Sequence, residues 1–286
     1  FSHNGVKENT LQALQARSTF LKPLSPYFNI KAGFDVQNIV YSESYKAGNL
    51  TQNQSIDDQN ASVFAETEFK LNKKIAGRMG LRTEYSSLME VPSLSPRATM
   101  AYTLSKNEQI SVAAGIFHQT PEYTYLRSVE DLTFETANHL IANYQRIRNG
   151  YIFRVEAYKK WYTDLVKTDG QIKTIYNGGN GYAQGLDLFF RDNKNIKNGD
   201  YWVSYSYLDT KRDWKNFPFA ANPDFAMKHS LSLVGKKFFP DINMALSASY
   251  AYNSGRPYYD PNADTARFME DKTPAYHDIS ATCTYL

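Results

Sequence analysis

Histidine and cysteine are the first side chains of this 286-residue sequence to consider for catalysis or for binding a transition metal. His277–Asp278 and Asp224–His229 could each form a hydrogen-bonded dyad, but no two histidines have the spacing of a metal-ligand pair. Cys283 is the only cysteine, which excludes a disulfide within the sequence and disfavours a thiolate metal site. These residues predict no catalytic site, no metal site and no cofactor. The five histidines are His3, His118, His139, His229 and His277.

A glycine-rich run at Asn177–Gly181 has the composition of a phosphate-binding loop but does not open a predicted helix. We therefore expect this run to end a loop, where glycine supplies a positive φ angle. Gly185, inside the next strand, is expected to permit a bulge or a close contact. The run predicts no phosphate site.

Seven charged residues occupy one side of segments in which polar and apolar residues alternate. Because successive side chains of a strand point to opposite faces, these charges are expected to share one face of a sheet. That face is either a polar wall held by salt bridges and water or a path for a ligand, and we favour the wall near the short turns. The residues are Arg78, Arg82, Glu84, Arg154, Glu156, Asp187 and Arg191.

A second set of candidates combines aromatic rings with arginine in long polar connections. Ring stacking and cation–π contacts would suit a glycan, a chelated metal or a peptide equally. We expect these residues to contribute to ligand binding. They are Tyr123, Tyr125, Arg127, Trp214, Phe217, Arg256, Tyr258 and Tyr259.

The elements that must position these residues are clearest between residues 151 and 207, where three runs of about ten residues alternate. In the first run Phe153 and Val155 alternate with Arg154 and Glu156. A soluble β-sandwich rarely directs several consecutive charged side chains inward from one strand. A large transmembrane barrel does so regularly, because lipid contacts its outside and water its inside.

Thirteen strands are predicted, near the ~9–11 residues that cross a bilayer at a tilt. Aromatic residues make up 15% of the sequence, as expected for the aromatic girdles of a barrel, and no apolar run is long enough for a transmembrane helix. A net charge of +3 is too small to indicate nucleic-acid binding. The strands cover residues 10–20, 27–40, 60–71, 75–86, 97–105, 109–118, 135–147, 150–162, 181–191, 200–209, 226–236, 242–253 and 277–286.

The connections between these strands alternate without exception between short and long. The short ones contain Pro, Asn, Gly and Lys, as turns do. Short turns face the periplasm and long loops face outside in an outer-membrane barrel, so the alternation favours that class over a soluble barrel. The long connections are residues 41–59, 87–96, 119–134, 163–180, 210–225 and 254–276.

An odd number of strands is not expected of a closed bacterial barrel. Thirteen strands alone would also leave two unpaired edges in lipid, which provides no hydrogen-bonding partners. We therefore expect further strands before Phe1 and after Leu286, so that residues 1–286 form one partial transmembrane β-barrel domain.

An ordered set of motifs resembles the C-terminal barrel of TonB-dependent outer-membrane receptors, most closely those of the Bacteroidetes type. The resemblance covers residues 60–286 well and 1–59 loosely. It implies an all-β fold in which these strands are about the eighth to the twentieth of an antiparallel 22-stranded barrel. The family's N-terminal plug, the short box that engages TonB and the last two strands lie outside this sequence. The motifs are LSPRATMAY (94–102), GIFHQTP (115–121), FRVEAYKKWYTDLV (153–166), NGGNGYAQGLDLF (177–189), YWVSYSYLDTK (201–211), FPFAANPDFAMKHSLSL (217–233), ASYAYNSGRPYY (248–259) and TPAYHDISATCTYL (273–286).

The resemblance implies a receptor in the outer membrane of a Gram-negative bacterium that takes up a scarce nutrient, such as a metal chelate, glycan, cofactor or peptide. Its expected partners are the TonB complex, engaged through the missing N-terminal region, outer-membrane lipid and an extracellular small-molecule or oligomeric substrate. A surface lipoprotein is a further candidate partner, and the charged wall would contact the plug. The alternative is a barrel that does not transport but is a structural or assembly subunit of an outer-membrane complex. An outer-membrane hydrolase is a distant third, because no catalytic pair stands out.

Overall fold

The computed structural model describes residues 5–48, 50–129, 131–169 and 174–286, and every one of the thirteen predicted strands is present in it. These strands form one antiparallel sheet in which each pairs with its neighbours in sequence. They are β1 (Gly5–Ser25), β2 (Phe28–Ala47), β3 (Leu50–Lys70), β4 (Ile75–Ser86), β5 (Pro92–Ser105), β6 (Glu108–Gln119), β7 (Glu135–Arg148), β8 (Tyr151–Asp169), β9 (Thr174–Asp192), β10 (Gly199–Asp213), β11 (His229–Phe239), β12 (Met244–Asn253) and β15 (Tyr276–Tyr285).

The remaining elements lie in the connections. Helix α1 (Tyr123–Leu126) follows β6, and the two-residue strands β13 (Pro257–Tyr258) and β14 (Asp271–Lys272) pair with each other between β12 and β15. Short 3-10 turns occur at Pro240–Ile242 and Thr265–Arg267. No helix in the described ranges is both long and apolar enough to cross a membrane.

The strand register gives the sheet two chemically different faces. Opposite residues of an antiparallel pair point to the same face, so pairs such as Asn143–Glu156 and Gln145–Arg154 can be followed from strand to strand. This register places all seven charged residues named above on one face, here called the charged face. The opposite face, here called the apolar face, exposes large side chains that include Met79, Leu81, Val112, Leu140 and Leu233.

The apolar face has the character of a lipid-contacting surface. Exposed apolar side chains follow one another along most strands of this face, rather than standing singly as on a water-soluble protein. Alternation of this kind, with charge on one face and apolar side chains on the other, is what a transmembrane barrel requires.

The expected long loop at residues 41–59 is wrong, because β2 and β3 continue through it and remain paired from Phe28–Phe69 to Ala47–Leu50. β2 has 20 residues and β3 has 21, so at a rise of ~3.3 Å per residue each spans roughly 65–70 Å, about twice the ~30 Å hydrocarbon core. Where a strand extends beyond lipid neither face has to be apolar. The alternation that marks a strand in sequence is therefore lost, although the backbone ladder continues.

The strict alternation of short and long connections is wrong for the same reason. The connection at 87–96 shrinks because β5 begins at Pro92, and β8 and β9 extend into 163–180. The innermost part of that connection, 170–173, lies outside the described residues. Long connections remain at 120–134, 214–228 and 254–275, all at one end of the sheet, here called the loop end. The opposite end, with its short connections, is the turn end.

The glycine-rich run lies inside β9, not at the end of a loop, and its glycines are not among the described residues with a positive φ angle. A Cβ on Gly179 would lie 2.5 Å from the carbonyl oxygen of Asp213 and 2.8 Å from that of Leu165. Glycine is needed here because the backbones of β8, β9 and β10 approach closely. Gly185 is similar, since its Cβ would lie 2.2 Å from the carbonyl oxygen of Tyr207.

β1 and β15 are the edge strands of the described sheet. The side chains of β15 are exposed throughout. That additional strands cover these edges stays a prediction.

Candidate functional site

The connection 120–134, here called the α1 loop, packs into an apolar cluster at the loop end. Leu126 on helix α1 and Leu132 and Phe134 further along the loop are buried against Met89 and Val166. Leu132 is only 1% exposed. Residues from the β4–β5 connection, the α1 loop and β8 thus share one small core, which fixes the loop over the sheet.

The polar side of helix α1 is attached to β2 and β3. The Tyr123 hydroxyl donates a hydrogen bond of 3.0 Å to Asp58, and the Tyr123 ring stacks on Tyr41 with 6.0 Å between centroids. Asp58 is fully buried and also accepts hydrogen bonds from Ser86 and Asn60. Burial, together with the Asp58 carboxylate, raises the pKa of Tyr123 above its usual range.

A second attachment is ionic. Arg127 donates from Nη1 to Oε1 of Glu43 at 2.7 Å, and Glu43 is only 8% exposed. The other oxygen of Glu43 lies 2.9 Å from Nζ of Lys7 and accepts a hydrogen bond from Tyr41 at 3.1 Å. The α1 loop therefore leaves β6, crosses the charged face and is held on β2 by a partly buried ion pair.

The connection 214–228 joins this arrangement through Lys215. Nζ of Lys215 lies 2.9 Å from Oε1 of Glu122, and the backbone of Lys215 pairs with β8. Burial opposes the charge of Lys215, but the hydrogen bond that Lys215 donates to Glu122 and the nearby charges of Glu122 and Glu135 together raise the pKa of Lys215. Burial also raises the pKa of Tyr125, which packs beside the apolar cluster.

The predicted aromatic residues of the later loops form a second cluster around Phe268. Phe217 meets Phe268 edge-to-face at 4.9 Å between centroids, and Tyr259 lies 5.1 Å from Phe268. Trp214 contacts Phe217, and its ring lies 4.7 Å from the guanidinium of Arg212. The loops 214–228 and 254–275 are therefore joined by edge-to-face ring contacts.

The structure thus brings the predicted outer residues together in two groups. Tyr123, Tyr125 and Arg127 share helix α1 and its C-terminal end, and the Tyr123 hydroxyl and Nη1 of Arg127 are used in contacts within the protein. Tyr258, which ends the short strand β13, and Arg256, which precedes that strand, stand apart and are exposed. Whether any of these residues touches a substrate stays a prediction.

A cavity of about 300 Å3 lies between the α1 loop and the charged face. Its lining mixes acids, a base and an imidazole with amides and one aromatic wall. Tyr123 and Phe134 border it from the loop, whereas the sheet contributes Asp35, Arg82, Glu84, His118 and Asn60. The cavity can hold a small polar or charged group.

The predicted wall charges are mostly paired with neighbours on the same face. Arg78 forms an ion pair with Glu68 and lies 3.4 Å from Glu66. Arg191 pairs with Asp200. The remaining wall contacts are Arg82 to Glu84 at 2.7 Å, Arg154 to Gln145 at 2.9 Å and Asn143 to Glu156 at 3.4 Å.

The described histidines form no metal site, because no group of three His, Cys, Asp or Glu side chains able to hold an ion occurs in the described ranges. Nδ1 of His118 lies 2.9 Å from Oγ of Ser95 at the edge of the cavity. Within those ranges no carboxylate hydrogen-bonds the His118 ring, so this pair lacks the orienting acid of a hydrolytic triad. His3 lies outside the described residues.

Sequence reasoning missed the residues that hold the α1 loop. Asp58, Glu43 and Tyr41 fall in the segment taken as a long loop. Phe268 lies in a polar stretch and does not stand out. A strand continuing past Val40 would have been recognisable only from the β-branched and aromatic residues Ile39, Val40 and Tyr41, since the polar residues beyond them match a loop equally well.

Comparison with known proteins agrees with this architecture. The family model "TonB dependent receptor-like, beta-barrel" matches residues 4–285. No curated protein is similar enough in sequence to match.

Solved structures share the fold at low sequence identity. The ferric enterobactin receptor of Pseudomonas aeruginosa, solved with enterobactin, is 12% identical with a TM-score of 0.75, over 97% of this chain and 47% of that one. The FrpB iron transporter of Neisseria meningitidis is 9% identical with a TM-score of 0.75, over 97% and 48%. The copper transporter OprC is 11% identical with a TM-score of 0.75, over 98% and 48%. The chain thus spans about half the length of the solved structures it matches.

Proposed function

The chain belongs to the TonB-dependent receptor family of outer-membrane β-barrels, and from this we propose that it is part of a receptor that takes up a scarce nutrient through a TonB-gated lumen. Family membership rests on a match over residues 4–285. The apolar face is then the surface toward lipid, the charged face lines the lumen, and the loop end lies outside the cell.

The observation that carries this proposal is the cavity beneath the α1 loop. It lies on the charged face and is lined by groups of both signs, as a site for a polar solute would be. The α1 loop covers it from outside, held by the Arg127–Glu43 ion pair and the Tyr123–Asp58 hydrogen bond. We infer that solute reaches the charged face when this loop is released.

The substrate class remains that of the sequence analysis: a metal chelate, a glycan, a cofactor or a peptide. Solved structures of similar fold include receptors for ferric enterobactin and transporters of iron and copper, which favours the metal chelate among these. The exposed rings of Tyr258 and Tyr259, with Arg256 beside them, would give a first contact for a planar or aromatic chelator.

The coupling of uptake to an energy source would require segments outside residues 1–286. A plug and a TonB-engaging segment would connect the lumen to the TonB complex, and the paired charges of the wall, such as Arg82–Glu84, would face that plug. A surface lipoprotein that covers the loop end is a further proposed partner.

The test compares solute depletion from a defined, metal-limited medium by three strains: one with the receptor gene, one with it deleted and one with TonB inactivated. We expect at least one solute to be depleted only by the first strain, and an intact gene in trans to restore depletion to the second. Equal depletion by all three strains would contradict uptake.

A barrel that serves as a structural subunit without transport is the second candidate. The self-contained pairing of the wall charges, with Arg191 on Asp200 and Arg78 on Glu68, favours it, because such a wall is complete without a ligand. Loss of an outer-membrane complex in the deletion strain, with solute depletion unchanged, would support this candidate instead.

A further inference from the structure

The turn end of β7, β8 and β9 carries a groove on the apolar face, far along the strands from the α1 loop. The register sets Arg146 opposite Phe153 and Arg148 opposite Tyr151. On the other side of β8, the register sets Phe153 opposite Phe190 of β9. The groove has a volume of about 630 Å3, and Tyr144, Asn149 and Lys194 complete its lining.

The floor of the groove is aromatic. The Tyr144 and Phe153 rings meet edge-to-face at 6.2 Å between centroids, and Tyr151 lies 6.4 Å from Phe190. Tyr201 extends the row at 6.1 Å from Phe190. These rings form an aromatic row across β7, β8, β9 and β10 at the floor of the groove.

The rim of the groove is cationic. Arg148 and Lys194 are exposed, and within the described part of the chain neither forms an ion pair with a carboxylate. Arg146 is partly neutralised, since its Nε lies 3.6 Å from Oε1 of Glu108. Three cations therefore face one partly exposed carboxylate here.

The other nearby acid, Asp192, is used within the turn. It is 1% exposed and accepts hydrogen bonds from the backbone N–H of Lys194 at 2.8 Å and of Asn195 at 3.1 Å. The Tyr201 hydroxyl donates a third at 3.0 Å. Asp192 thus holds the turn so that Lys194 stands beside the two arginines.

The groove lies at the level of lipid headgroups. On β8, Phe153 and Trp161 both point to the apolar face, and their numbers differ by eight. At ~3.3 Å per residue they are roughly 26 Å apart along the strand, which a tilt of about 40° reduces to roughly 20 Å across the membrane, within the ~25 Å apolar band of a barrel. Phe153 therefore lies close to the membrane boundary at the turn end, and Arg148, opposite Tyr151, lies further toward the turns.

We propose that this groove binds an anionic glycerophospholipid of the periplasmic leaflet. Arg146, Arg148 and Lys194 bind its phosphodiester, because guanidinium groups match phosphate oxygens in charge and geometry. Tyr144, Phe153 and Phe190 contact its glycerol and acyl carbons. A basic pocket next to an aromatic belt at a membrane surface is the arrangement expected of specific headgroup recognition.

The test titrates the full-length receptor, purified in a neutral detergent, with phosphatidylglycerol and with phosphatidylcholine, and counts retained lipids by native mass spectrometry. The test variant is Arg146→Gln/Arg148→Gln/Lys194→Gln. The matched control is Lys73→Gln/Lys74→Gln/Lys106→Gln, which removes three exposed cations from other turns. Heat-modifiable gel mobility verifies that each variant is folded, and Arg148→Gln compared with Lys73→Gln replaces the triple variants if one of them does not fold.

We expect the apparent affinity for phosphatidylglycerol to fall at least fivefold in the test variant and to stay within twofold in the control. Phosphatidylcholine should bind more weakly than phosphatidylglycerol to the unmodified receptor. Equal losses in both variants would show that only diffuse surface charge is involved, and an unchanged test variant would show that the groove is not used. Displacement of phosphatidylglycerol by millimolar inorganic phosphate would show a site for a free anion. Each of these three results overturns the proposal.

Discussion

Asp58 is the residue on which the attachment of the α1 loop depends most. It is 0% exposed and its carboxylate accepts hydrogen bonds from Tyr123, Ser86 and Asn60, which belong to three different segments. A buried polar group is costly unless it is hydrogen-bonded, so each of these donors offsets part of the cost of burying Asp58. The sequence offers no sign of this role, because Asp58 follows another aspartate in a polar stretch.

Replacing Asp58 should therefore loosen the loop end. In Asp58→Ala the donors from Tyr123 and Ser86 lose their acceptor, and each unsatisfied buried group costs about 1–3 kcal/mol. We expect the free energy of unfolding in urea to fall by roughly 2–4 kcal/mol. Asp57→Ala is the matched control, because Asp57 is exposed and should change stability by less than about 0.5 kcal/mol. Equal effects of the two substitutions would contradict this role of Asp58.

The Tyr123 phenol predicts a pH dependence. Burial raises its pKa in the folded protein, so the folded state keeps a proton that the unfolded state loses. The stability from this group is thus fully present below its unfolded pKa of ~10 and is lost as pH rises through the folded pKa. Between about pH 8 and pH 11, the free energy of unfolding should fall more in the unmodified protein than in Tyr123→Phe. The exposed Tyr258→Phe should behave like the unmodified protein, and an identical fall in all three proteins would refute the prediction.

At the scale of elements, strand existence was predictable and strand length was not. Inside lipid each strand must alternate, and that rule located β4, β6 and β12 to within a residue or two. Beyond lipid only the backbone ladder remains, so β2 and β3 run on through Ser42–Ser55 without a sequence signal. Contacts between loops could not be predicted from the sequence either. Lys215 binds Glu122, for example, although more than ninety residues separate them in sequence.

The two faces of the sheet predict opposite responses to the same substitution. Ala142 lies on the apolar face of β7, whereas its neighbour Asn143 lies on the charged face beside Glu156. In Ala142→Arg the new charge faces lipid, which costs about 2–4 kcal/mol near the middle of the membrane. In Asn143→Arg it faces Glu156 and should change stability by less than about 1 kcal/mol. Unfolding from lipid vesicles measures both, and equal costs would mean that the faces are assigned wrongly.

The Arg127–Glu43 ion pair should control how often the α1 loop opens. Its charge-assisted hydrogen bond is partly buried and should contribute about 1.5 kcal/mol, so that Arg127→Gln opens the loop roughly tenfold more often. The rate of limited proteolysis between residues 120 and 134 measures this opening. Arg127→Lys keeps the charge and should restore most of the protection, whereas a cleavage rate in Arg127→Gln equal to that of the unmodified protein would exclude the ion pair as the lock.

At the scale of the whole molecule, the faces, the loop end and the turn end fit one outer-membrane barrel wall. We propose that the apolar face meets lipid and that the charged face lines the lumen. The loops from β6, β10 and β12 gather at one end of the sheet. The α1 loop connects strands that are several positions apart in the sheet, since Tyr123 and Arg127 reach β3 and β2. This crossing makes the loop a cover for the charged face, and the central claim is that solute passes when the cover opens.

The most direct test of that claim is to lock the cover and measure uptake of the solute identified by the depletion comparison. The background is Cys283→Ser, which removes the only thiol of residues 1–286, with any cysteine elsewhere in the receptor also replaced by serine. In it, the pair Arg127→Cys/Glu43→Cys is joined by a bifunctional methanethiosulfonate and later released by a reductant. We predict that the initial uptake rate drops to that of the receptor deletion on cross-linking and returns on reduction. Treatment with a monofunctional methanethiosulfonate should leave the initial uptake rate unchanged. Undiminished uptake through a receptor shown to be fully cross-linked would contradict the account.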